Sequence, residues 1–411
     1  MKKNLKIAKA IAISSVLLLT GCSSSANATT ENEEPKEEVL EAENNLTDVY
    51  WYGWGGDEVT NKWFDEEVTN QVLENTGLNF HRVGMDIGDI LLKLNDEKIA
   101  DDEVGDIDIV WINGENFAYA KENGLLLENI APEIENFNTY YDTSADLYLK
   151  DFNTEINGDE VPLGVAQFVM IANTNTVENL PTSSDDLLIY AMENPGKFTY
   201  PSLPDFSGSA FVRSIVYDIV EYDAVVETGG DKELLRATLM PVFDYFNELE
   251  PYMWQEGTSY PTSEASLHQM YQDGVVDFSM SYTTLIDQRN VLNGTFPKGS
   301  KSFVFDSGSP ENAHYLAIPF NAPNKEGAIK AINEILSPEL QLSKYQIDNW
   351  GDLPGVDMGK LDEEMQSKYD EVNGQVVNEN LMEIRSKGVP EFDAQTIVMI
   401  EELWEEEVLN K

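Results

Sequence analysis

The sequence contains few cysteines, histidines and basic residues. Its 411 residues include one cysteine, Cys22, three histidines, and 26 lysines and arginines against 75 acidic residues. A single cysteine excludes a disulfide within the chain, so packing alone must stabilise the fold. The formal charge of −49 argues against a surface that binds nucleic acid or lies on an anionic membrane. We expect most of the acidic side chains to form a solvated surface.

Sequence patterns of common catalytic sites are also missing. His81, His268 and His314 are scattered, and neither a two-histidine helix motif nor a zinc-binding set of cysteines occurs. The chain has no P-loop and no Gly-x-Ser-x-Gly nucleophile turn. We therefore predict a protein that is not an enzyme and has no cofactor or metal site. Acidic residues are so abundant that a glycosidase pair remains a remote alternative, as an extracellular carbohydrate-active enzyme.

The N-terminus reads as an export signal. Four lysines within the first nine residues precede a short apolar run, 11–19, which is well below the ~20 residues that span a bilayer. The following Leu19-Thr20-Gly21-Cys22 resembles the lipobox of bacterial lipoproteins. That resemblance implies cleavage after residue 21 and a lipid on Cys22; the alternative is a buried free cysteine. Residues 22–46 are rich in Ser and Glu and predict a flexible, acidic tether.

From residue 47 the pattern alternates between strands and helices. Strands are predicted at 49–52, 78–83 and 106–112, with amphipathic helices between them. This order favours a parallel sheet covered by helices, and therefore an α/β fold.

A second α/β region is predicted beyond the apolar run 165–172, which we interpret as a strand that leaves one lobe for another. A return crossing is predicted at 314–319. The other elements expected here are strands at 198–200 and 276–280 and helices at 210–220, 234–249, 325–336 and 392–409.

Several stretches carry a family resemblance. Residues 317–328 read Ala-Ile-Pro-Phe-Asn-Ala-Pro-Asn-Lys-Glu-Gly-Ala, and 336–341 read Leu-Ser-Pro-Glu-Leu-Gln. They resemble the bacterial extracellular solute-binding proteins of family 1, which serve importers driven by ATP-binding cassettes (ABC). Residues 108–117, 194–201 and Trp54-Gly55-Gly56 resemble a subgroup related to the thiamine, iron and polyamine binders.

The resemblance implies a two-lobe, type II periplasmic-binding-protein-like fold with a ligand cleft between lobes that crossover strands join. We expect lobe 1 at 47–162 plus about 315–345, lobe 2 at 163–314, and a C-terminal helical segment, 346–411, packed on the lobes. The implied function is capture of a small solute by lobe closure and delivery to an ABC permease with its ATPase. The expected protein is a monomer, anchored through its lipid on the extracellular face of a single-membrane bacterium. A ligand sensor that docks on a signalling receptor is the alternative.

Candidate ligand-binding residues follow strands of the first lobe, because ligands bind at the carboxyl ends of strands in open α/β sheets. Trp54 and Gly55 follow the first strand, and the indole could stack on a ring or a cation; it could also be a core-edge residue. Asn113, Glu115 and Asn116 follow the third strand, where either asparagine could instead cap a helix.

Further candidates are expected where the second lobe meets the cleft. Tyr200 and Ser207 are placed there, although Ser207 or its neighbour Ser209 could instead cap the following helix. The other three candidates are Trp254, which with Tyr260 could form an aromatic wall, Tyr282 and Asn312. His314, near the return crossing, is expected to be a structural hydrogen-bonding residue. Aromatic rings together with Asp57 and Glu115 favour an organic cation, such as a thiamine-like compound or a polyamine, as ligand.

Overall fold

The strands of the described residues form two main sheets. The computed structural model describes residues 47–375 and 381–411; the expected signal peptide, Cys22 and the tether at 22–46 lie outside them. The strands are β1 (Asp48–Gly53), β2 (Asn79–Gly84), β3 (Ile109–Ile112), β4 (Lys150–Asp151), β5 (Thr154–Glu155), β6 (Glu160–Gln167), β7 (Val169–Asn173), β8 (Phe278–Ser281), β9 (Ser300–Phe303), β10 (Ser309–Ala317) and β11 (Gly388–Pro390).

Helices separate most of these strands. They are α1 (Glu58–Lys62), α2 (Thr69–Thr76), α3 (Ile87–Ala100), α4 (Gly114–Glu122), α5 (Glu135–Tyr140), α6 (Asp146–Leu149), α7 (Ser184–Glu193), α8 (Phe206–Ile219), α9 (Tyr222–Val226), α10 (Lys232–Leu249), α11 (Glu264–Gln272), α12 (Ile286–Leu292), α13 (Lys325–Ile335), α14 (Pro338–Tyr345), α15 (Glu363–Gln375), α16 (Leu381–Arg385) and α17 (Ala394–Trp404). Two π-helical stretches, Trp63–Val68 and Glu405–Leu409, continue α1 and α17. Within the described ranges, no helix combines the length and apolar character needed to cross a membrane.

The larger sheet has the order β11-β10-β3-β1-β2, with β6 paired to β10. Strand β1 is parallel to both β2 and β3, whereas β10 is antiparallel to β3 and β6. The prediction that these three strands form a parallel sheet is therefore confirmed, and the structure gives their order as β2-β1-β3. The smaller sheet is antiparallel, with the order β8-β7-β9.

One continuous passage of chain links the two sheets. Strand β6 belongs to the larger sheet, and after Phe168 alone the chain continues as β7 in the smaller one. The apolar run 165–172 thus passes from one sheet to the other, as its composition predicts. The chain returns between β9 of the smaller sheet and β10 of the larger sheet, before Ser309. The crossing predicted at 314–319 is therefore wrong, because residues 314–317 pair within the larger sheet.

Separate apolar cores accompany the two sheets, and we call the residues around them the large-sheet region and the small-sheet region. The large-sheet region buries residues of β1, β3, α4 and α13, and the small-sheet region buries residues of β7, β8, α8, α10 and α17. The C-terminal segment contributes to both, through Tyr369 in the first and Trp404 in the second.

The strand predicted at 198–200 is wrong. Phe198, Thr199 and Tyr200 are buried but form no strand. The carbonyl of Lys197 accepts from the amide of Asp277, and that of Phe198 accepts from the amide of Trp254. Because these partners lie on different segments, no continuous ladder forms.

Candidate functional site

A buried ion pair lies where α8 meets the end of β11. Helix α8 is buried on every side between Ser207 and Tyr217, so Arg213 needs a counter-charge inside the protein. Its Nε donates to Oε2 of Glu391 at 2.8 Å and its Nη2 to Oε1 at 3.2 Å. Only 1% of the Arg213 side chain and 2% of the Glu391 side chain are exposed. This two-pronged geometry is the strongest form of such a pair.

Four further side chains complete the network around this pair. Tyr282 donates to Oε1 of Glu391 at 2.7 Å, and Asn312 donates to the same atom at 3.1 Å. Ser209 accepts from Nη1 of Arg213 and donates to Oε1 of Glu401, both at 2.5 Å. The network therefore joins α8, β10, β11 and α17 with the loop after β8.

Carboxyl groups exceed the positive charge of this network. Helix α4 packs against α17, which brings Glu115 of the large-sheet region towards Glu401 of the small-sheet region. Burial, and then the negative charge of Glu401, raise the pKa of Glu115, while Arg213 lowers it in part. Burial also raises the pKa of Glu401.

Asp151 adds a third carboxyl group beside Glu115. It is 1% exposed, and its Oδ2 accepts from the amide of Gly114 at 2.5 Å. Burial holds the pKa of Asp151 well above its usual range, and the charges of Glu115 and Glu391 raise it further. Glu160 behaves in the same way, because burial and the charge of Asp151 raise its pKa.

Hydrogen-bond acceptors without partners surround these groups. Among the described residues, Oδ1 of Asp151, Oδ1 of Asn312 and both carboxyl oxygens of Glu160 are buried and make no hydrogen bond. The raised pKa values favour the protonated forms of Asp151 and Glu160, in which one oxygen of each carboxyl group carries a donor proton. A bound group with positive charge and N–H donors would favour the ionised forms, in which every one of these oxygens accepts.

A second polar cluster joins the two regions through α12. Nη1 of Arg289 lies 2.7 Å from Oδ2 of Asp57 and 3.1 Å from the carbonyl of Trp350. Asp57 caps α1, because its side chain accepts from the amide of Val59. The pair thus links the N-terminus of α1 in the large-sheet region to a helix of the small-sheet region.

Near this pair lies a partly buried acid, Glu264, whose side chain is 19% exposed. It accepts hydrogen bonds from the hydroxyls of Ser207 and Ser281, and burial raises its pKa to about 7. Asp205 caps α8 and accepts from the amides of Ser207 and Gly208, and burial raises its pKa to about 6. His268 has its pKa lowered by burial to about 4, so its ring is neutral at pH 7.

Within the described residues, no group of three or more His, Cys, Asp or Glu side chains is placed to hold a metal ion. A polar groove of about 610 Å³ lies elsewhere, between α2 and the α13–α14 connection. Its walls include Glu67, Gln71, Asn75, Glu334 and Glu339, and none of the residues predicted from sequence lines it.

The chain matches the family described as bacterial extracellular solute-binding protein over residues 67–369. The chain belongs to this family. A curated relative, Protein YnjB of Escherichia coli (strain K12), is 32% identical over 315 residues, which cover 76% of this chain and 80% of that protein. Members of the family bind solutes, so this chain is a solute-binding protein and not an enzyme. The glycosidase alternative is therefore wrong.

Solved structures show the same fold at low identity. The spermidine/putrescine ABC transporter substrate-binding protein PotD from Streptococcus pneumoniae is similar with a TM-score of 0.58 and 17% identity, covering 88% of this chain and 99% of that one. The ferric ion-binding protein A of Pasteurella haemolytica gives 0.57 and 12%, covering 88% and 95%. This solute-binding protein therefore has the type II periplasmic-binding-protein fold.

We call the network of Arg213, Glu391 and Glu401, together with the neighbouring Glu115 and Asp151, the carboxyl-rich junction. Three of the predicted site residues lie there. They are Glu115, Tyr282 and Asn312, each described above. Asn116 lies beside Glu115 and donates to its carboxylate at 3.2 Å. Asn113 occupies the N-cap position of α4 but makes no capping hydrogen bond through its side chain.

The remaining predicted residues lie apart from this junction or inside the core. Tyr200 is fully buried in the small-sheet core, and its hydroxyl accepts from Nε1 of Trp404 at 3.2 Å. Trp254 packs against the same small-sheet core, to which Tyr260 also belongs. Trp54 is 43% exposed.

Three further local expectations have clear outcomes. Asp205, not Ser207 or Ser209, caps α8, and both hydroxyls donate to carboxylates instead. Gly55 is exposed, and its carbonyl accepts from the Asn61 side chain. The structural role expected for His314 agrees with its hydrogen bond to Asp352 at 3.0 Å.

Residues that the sequence reasoning missed include Arg213, Glu391, Glu401 and Asp151. An arginine inside the apolar stretch 210–220 was the one available signal, since a buried arginine requires an acid nearby. Nothing local distinguishes Glu391 from the other acidic residues.

Proposed function

We propose that this protein is a lipid-anchored solute-binding protein that captures a small organic cation between two lobes and delivers it to an ABC import permease. The lobes are residues 47–162 plus about 315–345 and residues 163–314, with the segment 346–411 packed on both. The protein acts as a monomer on the extracellular face of a single-membrane bacterium, held there by a lipid on Cys22.

The proposal of a cationic ligand rests on one observation: hydrogen-bond acceptors outnumber donors at the carboxyl-rich junction. Glu115 and Glu401 approach from the two regions, and Arg213 is already paired with Glu391. Two partly buried carboxylates close enough to influence each other's pKa repel when both are ionised, unless a cation lies near them. An ammonium group with several N–H donors would neutralise both charges and donate to both carboxylates. It would therefore favour the conformation in which the two regions are in contact, which we call the joined state.

The names of two relatives guide the choice of test ligand. One solved structure is named for spermidine and putrescine and another for ferric ion, and all three are cations. Aromatic side chains such as Tyr282 lie beside the carboxylates, and a cation can also bind to the face of an aromatic ring.

Isothermal titration calorimetry with spermidine, putrescine and thiamine tests the proposal. We expect saturable binding of at least one of them, and a loss of at least about tenfold in affinity in Glu115→Gln and in Glu401→Gln. The exposed acid Glu193 provides the control, since Glu193→Gln keeps the same change of charge away from the junction. Absence of binding by all three cations, or equal losses in the control, would contradict the proposed ligand class.

Measuring uptake of the bound cation by intact cells distinguishes a protein that serves import from one that serves a signalling receptor. Deletion of this protein should abolish uptake by the intact cell, and expression of the wild-type chain should restore it. Unchanged uptake would refute delivery to a permease and would favour the sensor.

A further inference from the structure

A short hairpin, formed by β4 and β5, carries an unusual turn. The strands pair Lys150 with Glu155 and Asp151 with Thr154, and the turn residues are Phe152 and Asn153. Their φ values are 41° and 63°, as a two-residue type I′ turn requires. Asparagine tolerates this left-handed conformation, whereas a bulky phenylalanine rarely adopts it. The backbone at Phe152 is therefore strained, and a contact elsewhere must hold it there.

The hairpin is anchored to the large-sheet region. Asp151 accepts from the amide of Gly114 at the start of α4, and Ile156, which directly follows β5, is buried in a core with residues of β3 and α4. A Cβ atom on Gly114 would lie 2.8 Å from the Phe152 ring, so glycine leaves the space in which the ring lies.

The ring of Phe152 nevertheless belongs to the core of the small-sheet region. Only 4% of the residue is exposed, and it is packed in that core. Its ring stacks on Phe206 of α8 with centroids 6.3 Å apart and an interplanar angle of 21°. The ring centroids of Phe206 and Tyr282 lie 4.7 Å apart, and those of Tyr282 and Phe168 lie 5.7 Å apart.

Two opposing effects therefore meet in one residue. If the two regions move apart, Phe152 must leave its aromatic pocket, because its backbone remains with Gly114. Burial of the ring favours the joined state, whereas relief of the strained turn favours the separated state. The position of the equilibrium then depends on this ring even before a ligand arrives.

We propose that Phe152 is a clasp between the two lobes, whose stacking on Phe206 sets the fraction of closed protein in the absence of ligand. The proposal rests on the proposed function, since it assumes that the lobes open and close. It assigns a positioning role to a hairpin that contributes no charge to the carboxyl-rich junction except through Asp151.

Distance measurement by pulsed electron paramagnetic resonance tests the clasp without any ligand. Cys22 is the only cysteine, so the full chain with Cys22→Ser accepts nitroxide labels only at introduced sites. Ile99 on α3 and Ile189 on α7 are 83% and 53% exposed and lie in the large-sheet and small-sheet regions. Ile99→Cys with Ile189→Cys therefore reports the separation of the two lobes.

In this labelled background, Phe152→Leu should shift the distance distribution towards longer values, because leucine keeps the strained φ of 41° but has no ring to stack on Phe206. Phe152→Gly is the second variant if Phe152→Leu does not fold; it removes the strain as well, and loss of the buried ring should still shift the distribution in the same direction. Asn153→Gly is the matched control, because it loosens the same turn but keeps the ring, and its distribution should equal that of the parent.

An unchanged distribution in the Phe152 variant, or an equal shift in the Asn153 variant, would overturn the clasp. Neither result would affect the cation titrations, which test the proposed function separately. Conversely, a shifted distribution in a protein that binds none of the three cations would support the clasp and refute only the ligand class.

Discussion

Arg213 and Glu391 form a buried ion pair whose members lie 178 residues apart in sequence. Strand β11 places Glu391 beside Asn312, because Glu311 of β10 and Pro390 of β11 are paired in parallel register. The pair therefore connects α8 to the C-terminal segment at the carboxyl-rich junction.

Removing the arginine of this pair should strongly destabilise the protein. Arg213→Met leaves Glu391 buried without its counter-charge, which costs about 3–5 kcal/mol of unfolding free energy. Urea unfolding measures the loss. Arg213→Met combined with Glu391→Leu should be less destabilised than the single variant, because no uncompensated charge remains. A double variant less stable than Arg213→Met would contradict this explanation.

The pair between Asp57 and Arg289 can be separated from the helix cap that Asp57 also forms. Asparagine caps a helix as well as aspartate does, so Asp57→Asn should remove only the ion pair. Since 19% of the Asp57 side chain is exposed, we expect a loss of about 1–3 kcal/mol, between the values for surface and buried pairs. Asp57→Ala should lose about 1 kcal/mol more. Equal unfolding free energies for the two variants would show that the cap contributes nothing.

Two glycines provide a matched test of the contact between Gly114 and Phe152. Gly77 and Gly114 have φ values of 76° and 62°, but nothing lies within 4 Å of a Cβ atom placed on Gly77. Gly77→Ala should therefore cost only about 1–2 kcal/mol, for the left-handed backbone. Gly114→Ala should cost about 1–3 kcal/mol more, because the methyl group meets the Phe152 ring. Thermal unfolding of both variants measures the difference, and equal losses would argue against a close contact.

The stability of the protein should fall between pH 6.5 and pH 8 through Glu264. Burial raises the pKa of Glu264 from 4.5 to about 7, so the folded state binds its proton more tightly than the unfolded state. This stabilisation is complete below pH 4.5 and is lost as the pH rises through 7. His268, with a pKa lowered from 6.5 to about 4, acts in the opposite sense at lower pH, which is why the comparison begins at 6.5. Glu264→Gln should lose less unfolding free energy than the wild type across this range, and Glu193→Gln should follow the wild type.

The proposed anchor predicts that Cys22 serves only attachment to the cell and does not affect binding of the cation. Cys22→Ser should release the protein from the cell and weaken uptake, because the tether no longer keeps it at a high effective concentration near the permease. Affinity for the cation, measured by calorimetry on the released protein, should be unchanged. Loss of affinity together with anchoring would contradict the proposal.

Local patterns were sufficient for much of the fold. Alternation of apolar strands with amphipathic helices predicts that β1, β2 and β3 form a parallel sheet, and the apolar run 165–172 predicts the passage between the sheets. No strand forms at 198–200, because a strand needs a neighbour with a continuous ladder, whereas the carbonyls of Lys197 and Phe198 accept from two separate segments, at Asp277 and Trp254.

The candidate site was predicted only in part. Glu115 follows a strand of a parallel sheet, where the topology brings strand ends together, and as a ligand-binding residue it stays a prediction. Tyr200 has an aromatic side chain that could line a cleft or fill a core, and its burial and its contact with Trp404 appear only in the folded chain.

The sequence by itself determined the family, the α/β class and the order of the elements, because these depend on periodicity and on short motifs within a few residues. Only the tertiary structure decided which of 75 acidic residues lie buried beside Arg213, and that the ring of Phe152 crosses from one region to the other. Burial of a charge depends on partners distant in sequence, and the packing that removes water from both of them exists only in the folded chain.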